Sequence, residues 1–265
     1  MDAIIDFVLL LLLGAVVGLL AGLLGIGGGL IIVPVLTGFL SLQDVAEAHA
    51  IKLAIGTSLA TIVLTSLASI RAHHRYHAVM WPAFARLAPG ILVGALGGGL
   101  LAGALPGALL QRIFSVFVLL MAAQLLLNLR PRAAGGLPGR GGVALAGTVI
   151  GAVSALVGIG GGAMTVPFLI WCSASTRQAV ATSAACGLPI ALAGSVGFAI
   201  SGLGVVGLPD FCVGYLYLPA LVNITLASVW VAPLGARLAH RLPMRVLRQF
   251  FAVFLLILGV NMLLT

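Results

Sequence analysis

The sequence predicts an all-α, polytopic membrane protein, and three observations carry that prediction. First, 62% of the 265 residues are hydrophobic and only 7% are charged, whereas a soluble domain carries about 25% charged residues. Polar groups are too few to cover a water-facing surface, so lipid must surround most of the chain. Second, apolar runs with at most one charge recur, for example at 5–24, 114–127 and 250–264. They lack the period-two alternation of a barrel strand. In lipid every backbone N–H and C=O must pair internally, which leaves helices. Third, one half of the chain repeats the other.

The repeat is anchored on a glycine stretch. "GLLAGLLGIGGGLIIVPVL" (18–36) aligns without gaps to "GAVSALVGIGGGAMTVPFL" (151–169), with ten of nineteen positions identical. Downstream, "KLAIGTS" (52–58) matches "RQAVATS" (177–183), setting Lys52 against Arg177 and Thr57-Ser58 against Thr182-Ser183. Pro89 is set opposite Pro219, which leaves Asn223 facing Val93. Near each end, "LPGALLQRIFSVFVLLMAAQLLL" (105–127) runs beside "LPMRVLRQFFAVFLLILGVNMLL" (242–264), pairing Gln124 with Asn261. The expected organisation is an N-terminal membrane repeat (1–129), a cytoplasmic linker (130–142) and a C-terminal membrane repeat (143–265).

Each repeat reads as five helical segments. They fall at 5–24, 29–41, 48–70, 84–104 and 109–129, then at 142–158, 162–173, 176–200, 214–236 and 245–264. Arg130, Arg132 and Arg140 mark the linker as cytoplasmic, and Arg71, Arg75 and Arg86 do the same for the loop after the third segment. The counterpart of that loop in the second repeat, "SGLGVVGLPDF", has no positive residue. The preference reverses before the last segment, where Arg237, Arg241, Arg245 and Arg248 stand against Arg112 alone. Corresponding loops thus lie on opposite sides of the membrane, so the repeats are inverted and both termini are external. The second segment of each repeat is about twelve residues, roughly 18 Å against a hydrocarbon core of about 30 Å. The first two segments of each repeat are therefore expected to form a short hairpin that turns inside the protein.

A glycine turn at that depth has a purpose. Irregular backbone is tolerated there only where protein buries it or it lines a cavity. A helix starting at such a turn offers bare N–H groups and a positive dipole end to an anion. Inverted repeats with interrupted helices are a common build of secondary transporters. The candidate substrate-binding residues are accordingly Gly25, Gly27, Gly28 and Gly29 with Thr57 and Ser58, and Gly158, Gly160, Gly161 and Gly162 with Thr182 and Ser183. The alternative reading of the glycines is close helix packing. Pro34 and Pro167 follow the turns as candidate hinges or helix breaks. Lys52 and Arg177 each open a long apolar helix. They read either as snorkelling end-of-helix cations or as basic residues drawing anions inward. The hydroxyls have a plain alternative too, a bond to the carbonyl one turn earlier.

The remaining features carry less. Gln124 and Asn261 read as polar ties between helices, and Gly90, Gly94 and Gly98 as a packing face. His73, His74 and His77 lack acidic or cysteine partners and read as a solvated loop, so no metal site is expected. Asp44 and Glu47 have no counterparts in the second repeat. Cys172, Cys186 and Cys212 are scattered in apolar surroundings and read as packing residues. The net charge of +8 sits mostly in short loops and reads as a topology signal, not a nucleic-acid surface. The first residues, with Asp2 and Asp6 and no basic residue, read as the first membrane segment instead of a cleaved signal. No nucleophile–base constellation, phosphate-binding loop or cofactor motif is present, so no enzyme activity or cofactor is expected.

Two copies of G-x-G-G-G followed by V-P, each trailed by K/R-x-A-x-[GA]-T-S, resemble the TauE/SafE family of sulfite and organosulfonate exporters. The likeness covers essentially the whole chain. It implies a multi-pass permease of the bacterial inner membrane for small sulfur-containing anions, with a homodimer left open. Ala181 in place of Gly56, and Arg177 in place of Lys52, imply half-sites that are not equivalent. A passive anion channel of the same fold is one rival. A membrane enzyme or an assembly factor is another, from a different class.

Overall fold

A computed structural model describes residues 2–24, 28–75, 77–127, 135–239 and 244–264. Ten helices account for most of them: α1 (Asp2–Leu24), α2 (Gly29–Leu42), α3 (Glu47–Arg75), α4 (Trp81–Ala104), α5 (Gly107–Leu126), α6 (Arg140–Val157), α7 (Gly162–Trp171), α8 (Thr176–Ser201), α9 (Leu218–Ala239) and α10 (Met244–Leu264). Every expected segment is present. Stretches of α3, α4, α5, α6 and α8 are long and apolar enough to cross a membrane. With 14 and 10 residues, α2 and α7 reach only about 21 and 15 Å, short of a bilayer core.

One element was not expected. The ninth segment does not begin at residue 214; an antiparallel pair, β1 (Cys212–Val213) and β2 (Leu216–Tyr217), precedes α9. Gly214 turns this hairpin at φ +56° while its α-carbon presses on the backbone of Ala199. A side chain would collide with that backbone, and the left-handed φ costs residues other than glycine as well. The pattern of apolar residues there fits helix and strand alike, and periodicity over so few residues does not separate them.

The helices pack mainly across the two halves of the chain. The principal partners are α1 with α9, α4 with α6 and α8, α3 with α8, and α5 with α10, while α2 lies on α3 and α7 on α8. The expected hairpins are corrected here: α1 and α2 make little contact, and so do α6 and α7. Each glycine turn sends its two limbs to different neighbours. Small residues explain why α6 leaves α7 for α4. Gly90, Gly94 and Gly98 of α4 meet the backbone of Ala144, Thr148 and Ala152, and Gly147 and Gly151 of α6 meet that of Leu87 and Ile91. The packing reading of the α4 glycines therefore holds. Gly14 and Gly18 of α1, the sequence counterparts of Gly147 and Gly151, press in the same way on Ile224 and Ser228 of α9.

That correspondence also corrects one pairing. In the register that sets Pro106 against Pro243, Leu87 falls opposite Ile224 and Pro82 opposite Pro219. Both α4 and α9 have proline at their second residue, where a missing N–H costs nothing. Pro219 therefore corresponds to Pro82, not Pro89, and Asn223 corresponds to Arg86 instead of Val93.

Candidate functional site

The start of α2, after the first glycine stretch, meets the second glycine turn in the interior. Gly158 closes α6 in the left-handed conformation (φ +72°), its N–H donating to the Ala155 and Ser154 carbonyls. Gly158, Ile159, Gly160 and Gly161 are all buried, and α7 starts immediately after them. From the first turn, Gly29 lies directly on the Gly158 carbonyl, so close that a Cβ there would collide with it. Val33 and Ile55 press on Gly158 from the other side. Gly28 caps α2, its carbonyl accepting the N–H groups of Ile31 and Ile32. Gly25 and Gly27 lie outside the described residues.

The Thr-Ser pairs flank this contact and hold the halves together. Ser58 Oγ donates to the Gly158 carbonyl at 2.9 Å. Thr57 Oγ1 accepts the Tyr217 N–H at 2.9 Å, just before α9. Thr182 Oγ1 accepts the Met80 N–H, also at 2.9 Å, just before α4. Each threonine thus satisfies one of the orphan amides of a helix start in the opposite half. Ser183 Oγ bonds within its own helix, to the Val180 carbonyl at 2.8 Å. Of the four hydroxyls, Ser183 alone follows the plain alternative of a bond to a carbonyl of its own helix.

The Ser58 and Thr57 bonds are buried, so losing one leaves a polar group unpaired at a cost of about 1–3 kcal/mol. Ser58→Ala and Thr57→Val are each expected to lower stability by about that amount in detergent unfolding. Wild-type unfolding midpoints for both would deny the bonds a structural role.

The remaining predicted residues are placed as follows. Lys52 is only 8% exposed. Its Nζ donates to the Gly103 carbonyl at 2.8 Å and lies 5.3 Å from the centre of the Tyr215 ring. Burial pushes the Tyr215 phenol above its ordinary pKa, so the ammonium faces a neutral ring, a cation–π contact. Arg177 is exposed at the start of α8. A capping box between Ser175 and Gln178 organises that start. Pro34 is buried in α2, and Pro167 is half-buried in α7. Gln124 is half-buried on α5, and Asn261 is exposed on α10. The structure does not bring those two into contact. An amide that does tie α5 to α10 is Gln111, whose Nε2 donates to the Met262 carbonyl at 2.9 Å. Gln111 went unnoticed because its counterpart is Arg248, so the repeat gave no matched amide. His74 and His77 are exposed, with His74 edge-on to Trp81 at 5.6 Å. Among the described residues no group of three His, Cys, Asp or Glu is placed to hold a metal.

Two residues at the second turn were also missed. The Thr165 hydroxyl is buried without a hydrogen-bond partner, and Gly187 of α8 faces the Gly161 nitrogen. The signal that could have found them is the departure from the repeat, since Ile32 and Ile62 stand at the matching positions.

Apolar spans, broken helices and glycine turns meeting in the interior define a multi-pass membrane protein of transporter type. The sequence profile described as sulfite exporter TauE/SafE matches residues 10–262, and the chain belongs to that family of membrane transporters. A "Probable membrane transporter protein" of Haemophilus influenzae is 39% identical over 261 residues, covering 97% of this chain and 98% of its own. A protein of the same description from Methanocaldococcus jannaschii is 26% identical over 97% of this chain and 95% of its own. A third, YunE of Bacillus subtilis, is 27% identical over 97% of each. No solved structure matches the chain significantly.

Proposed function

We propose that this transporter exports a small sulfur-containing oxyanion, sulfite or an organosulfonate, across the bacterial inner membrane. Two inverted repeats, 1–129 and 143–265, joined by a cytoplasmic linker, rock about a central anion site in alternating access, with both termini outside. Gly28, Gly29, Gly158, Gly160, Gly161 and Gly162 line the anion's site, and those whose N–H is not already given to a carbonyl supply it with amide hydrogens. Thr57, Ser58, Thr182 and Ser183 surround it, and Pro34 and Pro167 let the short helices bend. The observation that carries this reading is the buried contact between the two glycine turns, Gly29 against Gly158. The reciprocal bonds of Thr57 and Thr182 support a two-fold relation between the repeats. An odd number of segments per repeat then inverts one against the other. The family's description as a sulfite exporter supports the class of substrate.

Lys52 and Arg177 have unequal parts. Exposed Arg177 raises the local concentration of anions at its mouth, an effect that salt screens. Lys52, committed to Gly103, holds α3 to the end of α4 in this state and is released when the site opens on its side.

Counter-flow of labelled sulfite in proteoliposomes tests the proposal. Saturable, counter-gradient-driven flux is expected in the wild type, with Arg177→Ala raising KM about threefold at low ionic strength and little at high salt. Lys52→Ala is expected to lower turnover about tenfold. If neither substitution alters flux, the basic residues have no part in transport. Flux that never saturates makes the protein a passive channel instead.

A further inference from the structure

We propose that the oxyanion is held by one half of the molecule, at the start of α7, and that Thr165 and Gly187 create this half-site. The inference rests on the oxyanion reading above and deepens it. Among the described residues the N–H groups of Gly160, Gly161, Gly162, Ala163 and Met164 have no hydrogen-bond acceptor. They are consecutive donors at the positive end of a ten-residue helix.

A helix start alone is common; the side chains around this one are not. Thr165 is 0% exposed and its Oγ1 has no partner, although a buried hydroxyl ordinarily finds one. That oxygen lies 3.1 Å from the point a Cβ on Gly161 would occupy, beside the unpaired amides. Gly187 keeps the facing side open. A Cβ on it would have the Gly161 nitrogen, at 3.6 Å, as its sole neighbour within 4 Å among the described residues outside its own helix.

The first half has neither feature. Ile32 replaces Thr165 and Ile62 replaces Gly187, both buried. The Ile62 side chain reaches to 3.2 Å from the Cβ position of Gly29. The Gly28 carbonyl also takes the Ile31 N–H there. The repeat has thus kept one donor cradle and filled the other.

The half-site favours a single negative charge. A helix terminus offers about half a positive charge. Lys52 and Arg177 each precede this level by ten residues of helix, about 15 Å. The Ser183 carbonyl borders the same space at 3.1 Å and opposes a second charge. Ile190 and Ile62 complete the wall with apolar carbon, which suits the hydrocarbon end of a sulfonate.

Titration of the full chain in lipid nanodiscs with methanesulfonate, a monoanion, and sulfate, a dianion, tests this. The wild type is expected to bind methanesulfonate at least tenfold more tightly than sulfate. Thr165→Val should weaken methanesulfonate about tenfold, and Gly187→Val at least thirtyfold. Thr165→Ser, which restores a hydroxyl, should bind at least threefold more tightly than Thr165→Val. Ile32→Val, at the mirror position, should bind as the wild type does. Wild-type affinity in both Thr165→Val and Gly187→Val overturns the half-site and leaves the transporter reading intact. Tighter binding of sulfate overturns the charge preference. No binding of either anion by the wild type removes the oxyanion reading and this inference with it.

Discussion

Gly94→Leu is expected to leave little folded protein in the membrane, whereas Gly97→Leu, three residues away on the same helix, should behave as wild type. A Cβ on Gly94 would run into the carbonyl, carbonyl carbon and α-carbon of Thr148 on α6. All three are backbone atoms, so no rotamer change relieves the clash and the helices must separate. Separation also undoes the neighbouring contacts of Gly90 with Ala144 and Gly98 with Ala152. Helix association in lipid has no hydrophobic drive and depends on such close approach. Overpacking ordinarily costs about 1–3 kcal/mol, and the immovable partner places this substitution at or above the top of that range. Gly97 is exposed and has nothing within 4 Å of its Cβ position, so a leucine there meets only lipid. The yield of monodisperse protein after detergent extraction, and its unfolding midpoint, check both outcomes. Equal yields would mean that the α4–α6 seam does not hold the fold.

The fold was legible where the chain is long, apolar and repeated. The ten segments fell within a few residues of the observed helices, because uncharged runs have no other way to bury their backbone in lipid. What the repeat hid was equally instructive. Pairing Pro89 with Pro219 rested on local likeness; the matching glycine contacts, with Thr57 reaching Tyr217 and Thr182 reaching Met80, set the register at Pro82. Those bonds join residues more than a hundred positions apart, and no local pattern encodes them. The candidate site was legible as a pair of glycine stretches because two copies marked it. Part of its asymmetry was legible in Gly56 against Ala181 and Lys52 against Arg177, but the part at Thr165 and Gly187 is visible only as an absence of symmetry, an isoleucine exchanged for a hydroxyl and another for open space. Lys52 illustrates a different limit. Its place near a helix end fits a side chain reaching outward, and packing against Gly103 and Tyr215 turned it inward instead.

Gly29→Val is expected to lower substrate flux at least a hundredfold while the protein stays inserted and monodisperse. The position stands at the junction of the two proposed repeats. A Cβ there meets the Gly158 carbonyl, with the Ile159 α-carbon and the end of Ile62 each 3.2 Å away. Ile62 can swing aside; the Gly158–Ile159 backbone cannot. Gly158 is itself fixed at φ +72°, in a left-handed conformation that costs other residues about 1–2 kcal/mol, with Val33 and Ile55 packed behind it. The added side chain therefore forces the turns apart and strains the Ser58 bond to the same carbonyl. The seams of α1 with α9 and of α4 with α6 lie elsewhere and keep the molecule assembled, so stability should fall by only about 1–3 kcal/mol. Gly38→Val, further along α2 with nothing within 4 Å of its Cβ position, supplies the matched control and should transport normally. Sulfite counter-flow in proteoliposomes, beside an unfolding curve for each variant, separates the effects. Undiminished flux in Gly29→Val would show that transport does not depend on the two turns touching, and the central site would have to be sought away from them.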